Sequence, residues 1–349
     1  MKKKILLLLT FVSLHAWCGN PVVPGFFADP EILYAEKDST YYIYSTTDGY
    51  PGWGGWTISV FSSKDLQSWK AEGAAIDVKS DQVPWATGYA WAPSIIERKT
   101  PPGKKRKRSR KQAAEYTYYL YFSAHNPVSN RKEISVATSN SPTGPFKALD
   151  RPIITDKDRP EGITRGQAID VDVFQDPVSG KYYLYWGNSF MAGAELNDDM
   201  ISIKPETRTA MTPAGGSLKT WAYREGTYVF YNELSKDAPY YFMWSVDDTG
   251  SPNYHVCYGT SDSPLGPIKI DTLSYRVIEQ IPEKEIYGTA HNSVIRKPGT
   301  SDWLIVYHRI NKDYVGKAKG IPGTHREICI DNMFFDPKGR IIHVKPTNY

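Results

Sequence analysis

Five segments of the chain combine tyrosine or tryptophan with aliphatic residues in short runs, and polar or turn-forming residues separate these runs. Runs of this length and composition predict β-strands, because aromatic and β-branched side chains pack well on a pleated surface. The five segments are Thr40–Ser45, Thr117–Ser123, Lys181–Trp186, Pro239–Ser245 and Asp302–Tyr307. The 25 prolines and 27 glycines interrupt helices along the whole length, which favours an all-β fold.

A turn segment also recurs. Thr138–Phe146 (TSNSPTGPF) returns 122 positions later as Thr260–Ile268 (TSDSPLGPI). The aromatic strands recur at about half that distance, roughly 61 residues, and self-similarity of this period indicates a repeat architecture.

Five such units account for nearly the whole chain after an N-terminal leader, so we expect one domain over residues 19–349. Each unit is predicted to hold an inner strand, the aromatic strand and an edge strand that ends in Ser-Pro-x-Gly-Pro. Such units form the blades of a propeller, and radial repetition protects the sheet edges. The predicted fold is therefore an all-β, five-bladed β-propeller, with a two-sheet sandwich as the alternative.

The chain begins with a basic and then an apolar segment. Met1–Lys4 carries three lysines, and the apolar run Ile5–Val12 is too short to span a membrane. This pattern predicts a signal peptide over residues 1–18 and a secreted or periplasmic protein, or one anchored at the cell surface if Cys18 is lipidated. Cys257 and Cys329 then remain, either as a disulfide or as buried thiols.

The formal net charge of +4 misrepresents the body of the protein. Seven basic residues crowd into Lys104–Lys111, and without them and the N-terminal lysines the charge is negative. We expect a basic loop inserted between two strands over residues 99–114, and no nucleic-acid partner. Contact of this loop with an acidic glycan or an anionic surface is the alternative.

The segments that precede the aromatic strands differ from one another and carry polar side chains. Because the innermost strand of a propeller blade faces the central channel, we expect these side chains to converge on one axial pocket. The segments are Ala28–Ile32, Trp91–Ile95, Ile169–Phe174, Arg224–Tyr228 and Ala290–Val294. They place two aspartates, a glutamate, a tryptophan and a histidine at corresponding positions, and carboxylates beside an aromatic ring suit a sugar ligand.

At these residues the chain resembles glycoside hydrolase family 43, the five-bladed propeller family of arabinofuranosidases, xylosidases and arabinanases. The resemblance rests on Ala-Asp-Pro near the N-terminus, on Ile-Asp followed by Val-Phe and Tyr-Leu-Tyr-Trp, and on Glu-Gly in the fourth unit. It implies Asp29 as general base, Glu225 as general acid, and Asp170 as the carboxylate that orients the acid and tunes its pKa. Val171 stands where the family commonly has proline, which leaves Asp172 as an alternative to Asp170.

Such a trio also has a physical rationale. Cleavage of a glycosidic bond with inversion needs a protonated carboxyl at the leaving oxygen and an ionised carboxylate that activates water on the opposite face of the ring. Carboxylates on different blades provide the required separation. A third carboxylate near Glu225 disfavours its ionisation and keeps it a proton donor near neutral pH.

Further residues are expected to bind substrate. Trp91 places an indole just before the second inner strand, where it can stack on a sugar ring. Arg309 resembles the late arginine of the family that hydrogen-bonds substrate hydroxyls, and Asn188 follows the third aromatic strand. Trp53 lies in the aromatic cluster Tyr50–Trp56, which is expected to form the rim of the pocket.

The context of His291, Ala-His-Asn-Ser, resembles the axial histidine of the family, beside a calcium or sodium ion. The resemblance implies a structural ion that His291 supports, directly or through water, and no cofactor for catalysis. Zinc-ligand spacing, a dinucleotide-binding glycine motif and a serine-nucleophile motif are all absent from the sequence.

The expected function is that of a secreted glycoside hydrolase that cleaves polysaccharide with inversion, as an exo-acting α-L-arabinofuranosidase. β-Xylosidase, endo-xylanase or arabinanase, and β-D-galactofuranosidase activities are alternatives with the same carboxylates. The alternative of another class is a non-catalytic glycan-binding propeller, which has little need for an acid and a base on different blades.

Overall fold

The computed structural model describes residues 19–100, 115–315 and 324–348. The predicted signal peptide with Cys18 and most of the predicted basic loop therefore lie outside the described residues. Lys99 and Thr100, which were assigned to that loop, belong to a strand instead. No helix in the described ranges is long and apolar enough to cross a membrane.

The described residues form twenty strands, four for each of five consecutive blades. Blade 1 contains β1 (Phe27–Ala35), β2 (Thr40–Thr47), β3 (Thr57–Ser63) and β4 (Lys70–Asp77). Blade 2 contains β5 (Trp91–Thr100), β6 (Glu115–Asn126), β7 (Arg131–Ser139) and β8 (Lys147–Ala148). Blade 3 contains β9 (Asp172–Gln175), β10 (Tyr182–Trp186), β11 (Ala192–Glu195) and β12 (Thr209–Ala210).

Blade 4 contains β13 (Glu225–Tyr231), β14 (Tyr240–Val246), β15 (His255–Ser261) and β16 (Arg276–Ile278). Blade 5 contains β17 (Tyr287–Arg296), β18 (Trp303–Ile310), β19 (Arg326–Phe335) and β20 (Ile341–Ile342). Helical structure in the described ranges consists of five single 3-10 turns, at Pro51–Trp53, Asp156–Asp158, Pro205–Thr207, Pro282–Lys284 and Lys312–Tyr314.

Strands within a blade pair antiparallel in chain order. The aromatic segments are the second strands, and the polar segments before them form or adjoin the first strands, which confirms the predicted propeller. The expected three-strand unit was wrong, however, because each blade has a fourth strand. The two Ser-Pro-x-Gly-Pro segments lie between the third and fourth strands rather than at the end of the blade.

The core consists of five apolar clusters, one in each interface between neighbouring blades. Each second strand contributes side chains to the clusters on both faces of its blade, since successive side chains of a strand point to opposite faces. On β2, Tyr44 packs toward blade 2 and Ile43 toward blade 5. Because blade 5 and blade 1 also share a cluster, the ring is closed. Cys257 and Cys329 are buried free thiols in this core.

Each inner strand, or the segment leading into it, has a left-handed residue at an equivalent position. These residues occupy equivalent places in the five blades: Asp29, Ala92, Asp170, Gly226 and His291, with φ of 51°, 41°, 57°, 65° and 47°. In blades 1, 2, 4 and 5 the strand register shifts at this point, as in a β-bulge.

The backbone N–H groups of four of these left-handed residues donate to a side chain on the second strand of the preceding blade. The pairs are Asp29 to His308 Nδ1 (3.1 Å), Ala92 to Thr46 Oγ1 (2.9 Å), Asp170 to Ser123 Oγ (3.1 Å) and His291 to Ser245 Oγ (3.0 Å). These hydrogen bonds therefore link neighbouring blades around the axis of the ring.

A second ring of such bonds lies two residues further along the inner strands. Ser293 Oγ accepts from the N–H of Ile32 (3.0 Å), and Ser94 Oγ accepts from Val173 (3.1 Å). Asp172 Oδ2 accepts from Val229 (2.8 Å). Glu31 occupies the same position in blade 1, so this ring contains two buried carboxyl groups.

Glu31 and Asp172 are both within hydrogen-bond distance of the Ser94 hydroxyl, at 3.4 and 3.3 Å. Burial raises the pKa of Glu31 well above its usual value, and the charge of Asp172 adds to this effect. Burial also raises the pKa of Asp172, to about 7. The two groups therefore favour a protonated state in the folded protein.

The first prediction concerns stability and pH. Because the pKa of Asp172 is higher in the folded than in the unfolded chain, its contribution to stability is complete only below the unfolded pKa of about 4 and is lost as the pH rises from there through 7. The loss is expected to reach about 4 kcal/mol. In Asp172→Asn the free energy of unfolding should fall less between pH 5 and pH 8, as measured by urea unfolding.

The control is Asp302→Asn, because Asp302 is exposed and its side chain lies outside the axial ring. This variant should show the pH dependence of the wild type. An equally steep decline in Asp172→Asn would contradict the prediction.

Candidate active site

A cavity of about 160 Å³ opens where the bulged residues converge. Its walls come from all five blades: Asp29, Trp53, Trp91, Gln167, Ile169, Asp170, Asn188, Arg224, Glu225, Asp248, Thr249, His291 and Arg326. The cavity is smaller than the sites of drug-sized ligands, which are roughly 300–1,000 Å³. Seven of the eight site residues predicted from the sequence line it, and Arg309 does not.

Asp29 is held by donors on both carboxylate oxygens. Thr46 donates its hydroxyl to Oδ2 at 2.7 Å, and Arg326 donates from Nη1 to Oδ1 at 3.0 Å. Nδ1 of His291 and of His308 lie 3.2 and 3.3 Å from the same Oδ1. Burial raises the pKa of Asp29, but the charge of Arg326 outweighs burial, and the pKa lies well below its usual value. Asp29 is therefore ionised.

Arg326, rather than a histidine, neutralises this charge. Nδ1 of His308 accepts the backbone N–H of Asp29, so it carries no proton in this arrangement. Burial lowers the pKa of His308 to about 3, although Asp29 acts in the opposite direction. Burial likewise lowers the pKa of His291. Both imidazoles are neutral near pH 7.

Arg326 is the site residue that sequence reasoning missed. Its Nε donates to Asp48 at 2.8 Å, its Nη1 reaches Thr249 as well as Asp29, and its guanidinium lies 5.1 Å from the ring centroid of Trp53. A planar cation with five donors can serve several acceptors in this way. The sequence offered little signal, because Arg326 opens a strand that also contains Glu327, Asp331 and Asn332.

The assignment of Arg309 to the site was wrong. Arg309 follows His308 on β18, and alternate side chains of a strand point to opposite faces. Since His308 faces Asp29, Arg309 points away, and its Nε donates to Glu327 at 3.2 Å. The side chain is buried in a separate polar cluster with Asn348 near the C-terminus.

Glu225 lies across the cavity and has a different environment. The hydroxyl of Tyr254 donates to Oε1 at 2.8 Å, the amide of Asn188 donates to Oε2, and Arg224 Nε lies 3.8 Å from Oε2. Burial raises the pKa of Glu225 to about 7, against the lowering effects of Tyr254 and Arg224. This carboxyl can therefore hold a proton near neutral pH.

Asp170 and Asp172 have separate surroundings. Asp170 lines the cavity, and burial followed by the charges of Glu225 and Asp29 raises its pKa well above the usual value. Since two buried carboxyl groups that repel each other cannot both ionise readily, Asp170 and Glu225 together retain a proton. Asp172 belongs to the deeper ring, where it accepts from Val229 and Ser94.

Two tryptophans form one wall. The indole N–H of Trp91 donates to the backbone oxygen of Trp53 at 2.8 Å, which links the inner strand of blade 2 to the Pro51–Trp53 turn. Trp91 also packs edge-on against Tyr89 at 5.1 Å. The tryptophans therefore place indole rings in the same cavity as the carboxylates, an arrangement suited to a sugar.

His291 lies beside Asp29, with its Nδ1 3.2 Å from the carboxylate. The described residues contain no group of three or more acidic, histidine or cysteine side chains that could hold a metal ion. The oxygen of Asp29 nearest to His291 is bonded to the Arg326 cation, which a metal ion would have to displace or avoid. The axial ion stays a prediction, and no step of the reaction depends on it.

A closed propeller with an ionised carboxylate and a protonated carboxyl in one axial cavity is the architecture of a glycosidase. The sequence model of Glycosyl hydrolases family 43 matches residues 18–341. The chain belongs to this family and is therefore an inverting glycoside hydrolase.

Three proteins illustrate the likeness. A β-D-galactofuranosidase of Aspergillus niger is 34% identical over 354 residues, covering 97% of this chain and 88% of that protein. A thermostable family-43 glycoside hydrolase of known structure has a TM-score of 0.74 and 24% identity, over 95% of this chain and 97% of that one. An α-L-arabinofuranosidase from Clostridium thermocellum has a TM-score of 0.65 and 27% identity, over 92% and 94%.

The second prediction concerns Arg326. In Arg326→Lys the ammonium cannot serve Asp29, Asp48 and Thr249 together, so the pKa of Asp29 rises. The acidic limb of the pH profile of kcat/KM should move to higher pH, and kcat/KM should fall on the order of tenfold or more. Both are measured from initial rates on a cleaved aryl glycoside.

Arg309→Lys is the matched control, because it makes the same exchange in a buried ion pair outside the cavity. It should leave the acidic limb in place. Equal effects of the two substitutions, or an unmoved limb in Arg326→Lys, would contradict the assigned contact.

Proposed function

We propose that the protein is an exo-acting furanosidase that releases terminal α-L-arabinofuranosyl units from polysaccharide side chains. The observation that carries the proposal is the pair of oppositely poised carboxyl groups, Asp29 and Glu225, in one small axial cavity. The restricted volume favours a single sugar ring over a bound chain, and the likeness to an α-L-arabinofuranosidase supports the ring type.

In the proposed reaction, Asp29 removes a proton from a water molecule that attacks the anomeric carbon. Glu225 gives its proton to the glycosidic oxygen, which leaves with the electron pair of the broken C–O bond. The sugar gains the water oxygen on the opposite face, so the anomeric configuration inverts. Proton exchange with solvent returns Asp29 to its ionised and Glu225 to its protonated state.

The other wall residues have supporting roles in this proposal. Asp170 keeps Glu225 protonated through the repulsion between their charges. Trp91 and Trp53 provide the apolar platform for the ring, and Asn188 orients Glu225. Arg326 takes the substrate-binding role that the sequence had suggested for Arg309, since it is the buried cation in the cavity wall.

A β-D-galactofuranosyl substrate is the second candidate. The specific observation in its favour is the 34% identity to a β-D-galactofuranosidase over 97% of this chain. The two furanosides share the stereochemistry of the ring and differ by one exocyclic carbon, so the same carboxyl groups can serve both. Export through the predicted signal peptide, which would bring the enzyme to extracellular polysaccharide, is also part of the proposal.

The third prediction tests which sugar unit the enzyme releases. Nitrophenyl α-L-arabinofuranoside should be hydrolysed at least about tenfold faster than nitrophenyl β-D-xyloside, because a site fitted to a furanose loses contacts with a pyranose. Nitrophenyl β-D-galactofuranoside is assayed in parallel, and NMR of the fresh product should show the inverted anomer.

Glu225→Gln and Asp29→Asn are the controls. The rate of hydrolysis of polymeric arabinan should be about 10²- to 10⁴-fold lower in each variant than in the wild type. The highest rate on the galactofuranoside would select the second candidate. The highest rate on the xyloside would reject the furanosidase proposal.

The fourth prediction separates the two neighbouring aspartates. In Asp170→Asn the repulsion on Glu225 is lost, its pKa falls, and the basic limb of the kcat/KM profile should move down by about one pH unit. Asp172→Asn is the matched control, because Asp172 lies two residues away but outside the cavity wall. A shift of the limb in Asp172→Asn alone would assign the tuning role to Asp172.

A further inference from the structure

The two oxygens of Glu225 face different parts of the molecule. Oε2 is contacted by Asn188 and Arg224, which both line the cavity. Oε1 is contacted by Tyr254, which is fully buried and forms no part of the cavity wall. Oε2 is therefore the oxygen on the substrate side, and Oε1 points into the protein.

Tyr254 is firmly held in place. It immediately precedes strand β15, and its backbone N–H donates to the backbone oxygen of Ser251 at 3.1 Å. Its ring stacks on that of His308, with centroids 5.7 Å apart and an angle of 19° between the planes. His308 also accepts the N–H of Asp29, so the same imidazole contacts both Tyr254 and the proposed general base.

The hydroxyl of Tyr254 remains a donor throughout the working pH range. Burial raises its pKa well above the usual value, and the negative charges of Glu225, Asp29 and Asp170 act in the same direction. The hydroxyl therefore keeps its proton and donates to Oε1, whether Glu225 is protonated on Oε2 or ionised.

We propose that Tyr254 is a positioning residue for the general acid: it holds Oε1 as an acceptor, so that the catalytic proton resides on Oε2 and is delivered from there. This inference rests on the proposed role of Glu225. The proton passes from Oε2 to the leaving oxygen as the C–O bond breaks, and Tyr254 neither gains nor loses a proton. Asn188 can donate to Oε2 in both states, because a hydroxyl oxygen accepts as well as donates.

Several other groups influence the pKa of Glu225 and are the same in the wild type and in the variants of the test. The charged and titratable groups around it are Arg224, Asp29, Asp170, Asp248, Tyr223 and Tyr254. Of these, Tyr254 is the one whose hydroxyl bonds the buried oxygen, so removal of that hydroxyl leaves every formal charge unchanged.

The fifth prediction is therefore made for Tyr254→Phe. Loss of a donor to the carboxylate raises the pKa of Glu225, and the basic limb of the kcat/KM profile should move up by about one pH unit. Hydrolysis of an aryl furanoside with a poor leaving group should fall about tenfold or more. Hydrolysis of the dinitrophenyl furanoside, whose leaving group needs no proton, should stay within about threefold of the wild type.

Tyr185→Phe is the matched control. Tyr185 is also fully buried, and its hydroxyl donates to the backbone oxygen of Pro264 at 2.7 Å, away from Glu225. In the Tyr185→Phe variant, the basic limb of the kcat/KM profile and the dependence of the rate on the leaving group should equal those of the wild type. An unmoved limb in Tyr254→Phe, or an equal loss on both leaving groups, would overturn the inference and make Tyr254 a packing residue.

A second measurement needs no substrate. Infrared difference spectra titrate the carboxyl stretch of Glu225, assigned by comparison with Glu225→Gln, and the midpoint should be higher in Tyr254→Phe than in the wild type. Equal midpoints would overturn the inference. Failure of the wild type to hydrolyse any furanoside would instead reject the proposed substrate and leave this titration as the test.

If Tyr254→Phe does not fold, replacement of Tyr254 by 3-fluorotyrosine keeps the hydroxyl and strengthens it as a donor. The midpoint and the basic limb should then move down rather than up. No change with the fluorinated residue would equally overturn the inference.

Discussion

The left-handed residue at the equivalent position of every blade is the constraint on which the site depends. A residue other than glycine is disfavoured in this conformation by roughly 1–2 kcal/mol, and four of the five positions bear a side chain. Each of those four donates its N–H to the preceding blade, so the ring of hydrogen bonds offsets the strain. This conformation aims Asp29 and Asp170 into one cavity. At Gly226 a Cβ would lie 3.1 Å from the His291 ring, which favours glycine there.

The position of the Arg326 cation gives the proposed base, Asp29, and the proposed acid, Glu225, different protonation states. Apart from the exposed Asp248, the carboxyl groups of the cavity are buried, and burial alone would raise the pKa of each of them. Arg326 contacts Asp29 directly, so that group ionises, whereas Glu225 and Asp170 face each other and retain a proton. The same residue types thus acquire opposite roles from their neighbours, as in other enzymes that run acid and base chemistry at one pH.

What the sequence could predict follows from the range of the interactions. The aromatic second strands and the polar inner segments are local patterns, and they were correctly placed in the blades. Three of the fourth strands, β8, β12 and β20, escaped prediction because they have only two residues each. Arg326 escaped because its role depends on contacts with Asp29 and Asp48, almost three hundred residues earlier. Arg309 was misplaced because motif resemblance does not fix the face of a strand.

The residues on the inner strands and those on the segments between strands make different contributions to the cavity, which explains how one fold can serve different sugars. Asp29 is fixed by a hydrogen bond from its backbone to the neighbouring blade, and Glu225 by hydrogen bonds from the side chains of Asn188 and Tyr254. A change at these contacts disturbs the two proposed catalytic groups. Trp53, Gln167 and Thr249, in contrast, line the cavity from segments between strands. Such segments tolerate substitution and insertion better than strands do. Specificity can therefore change at the walls while the bulged residues keep the chemistry intact.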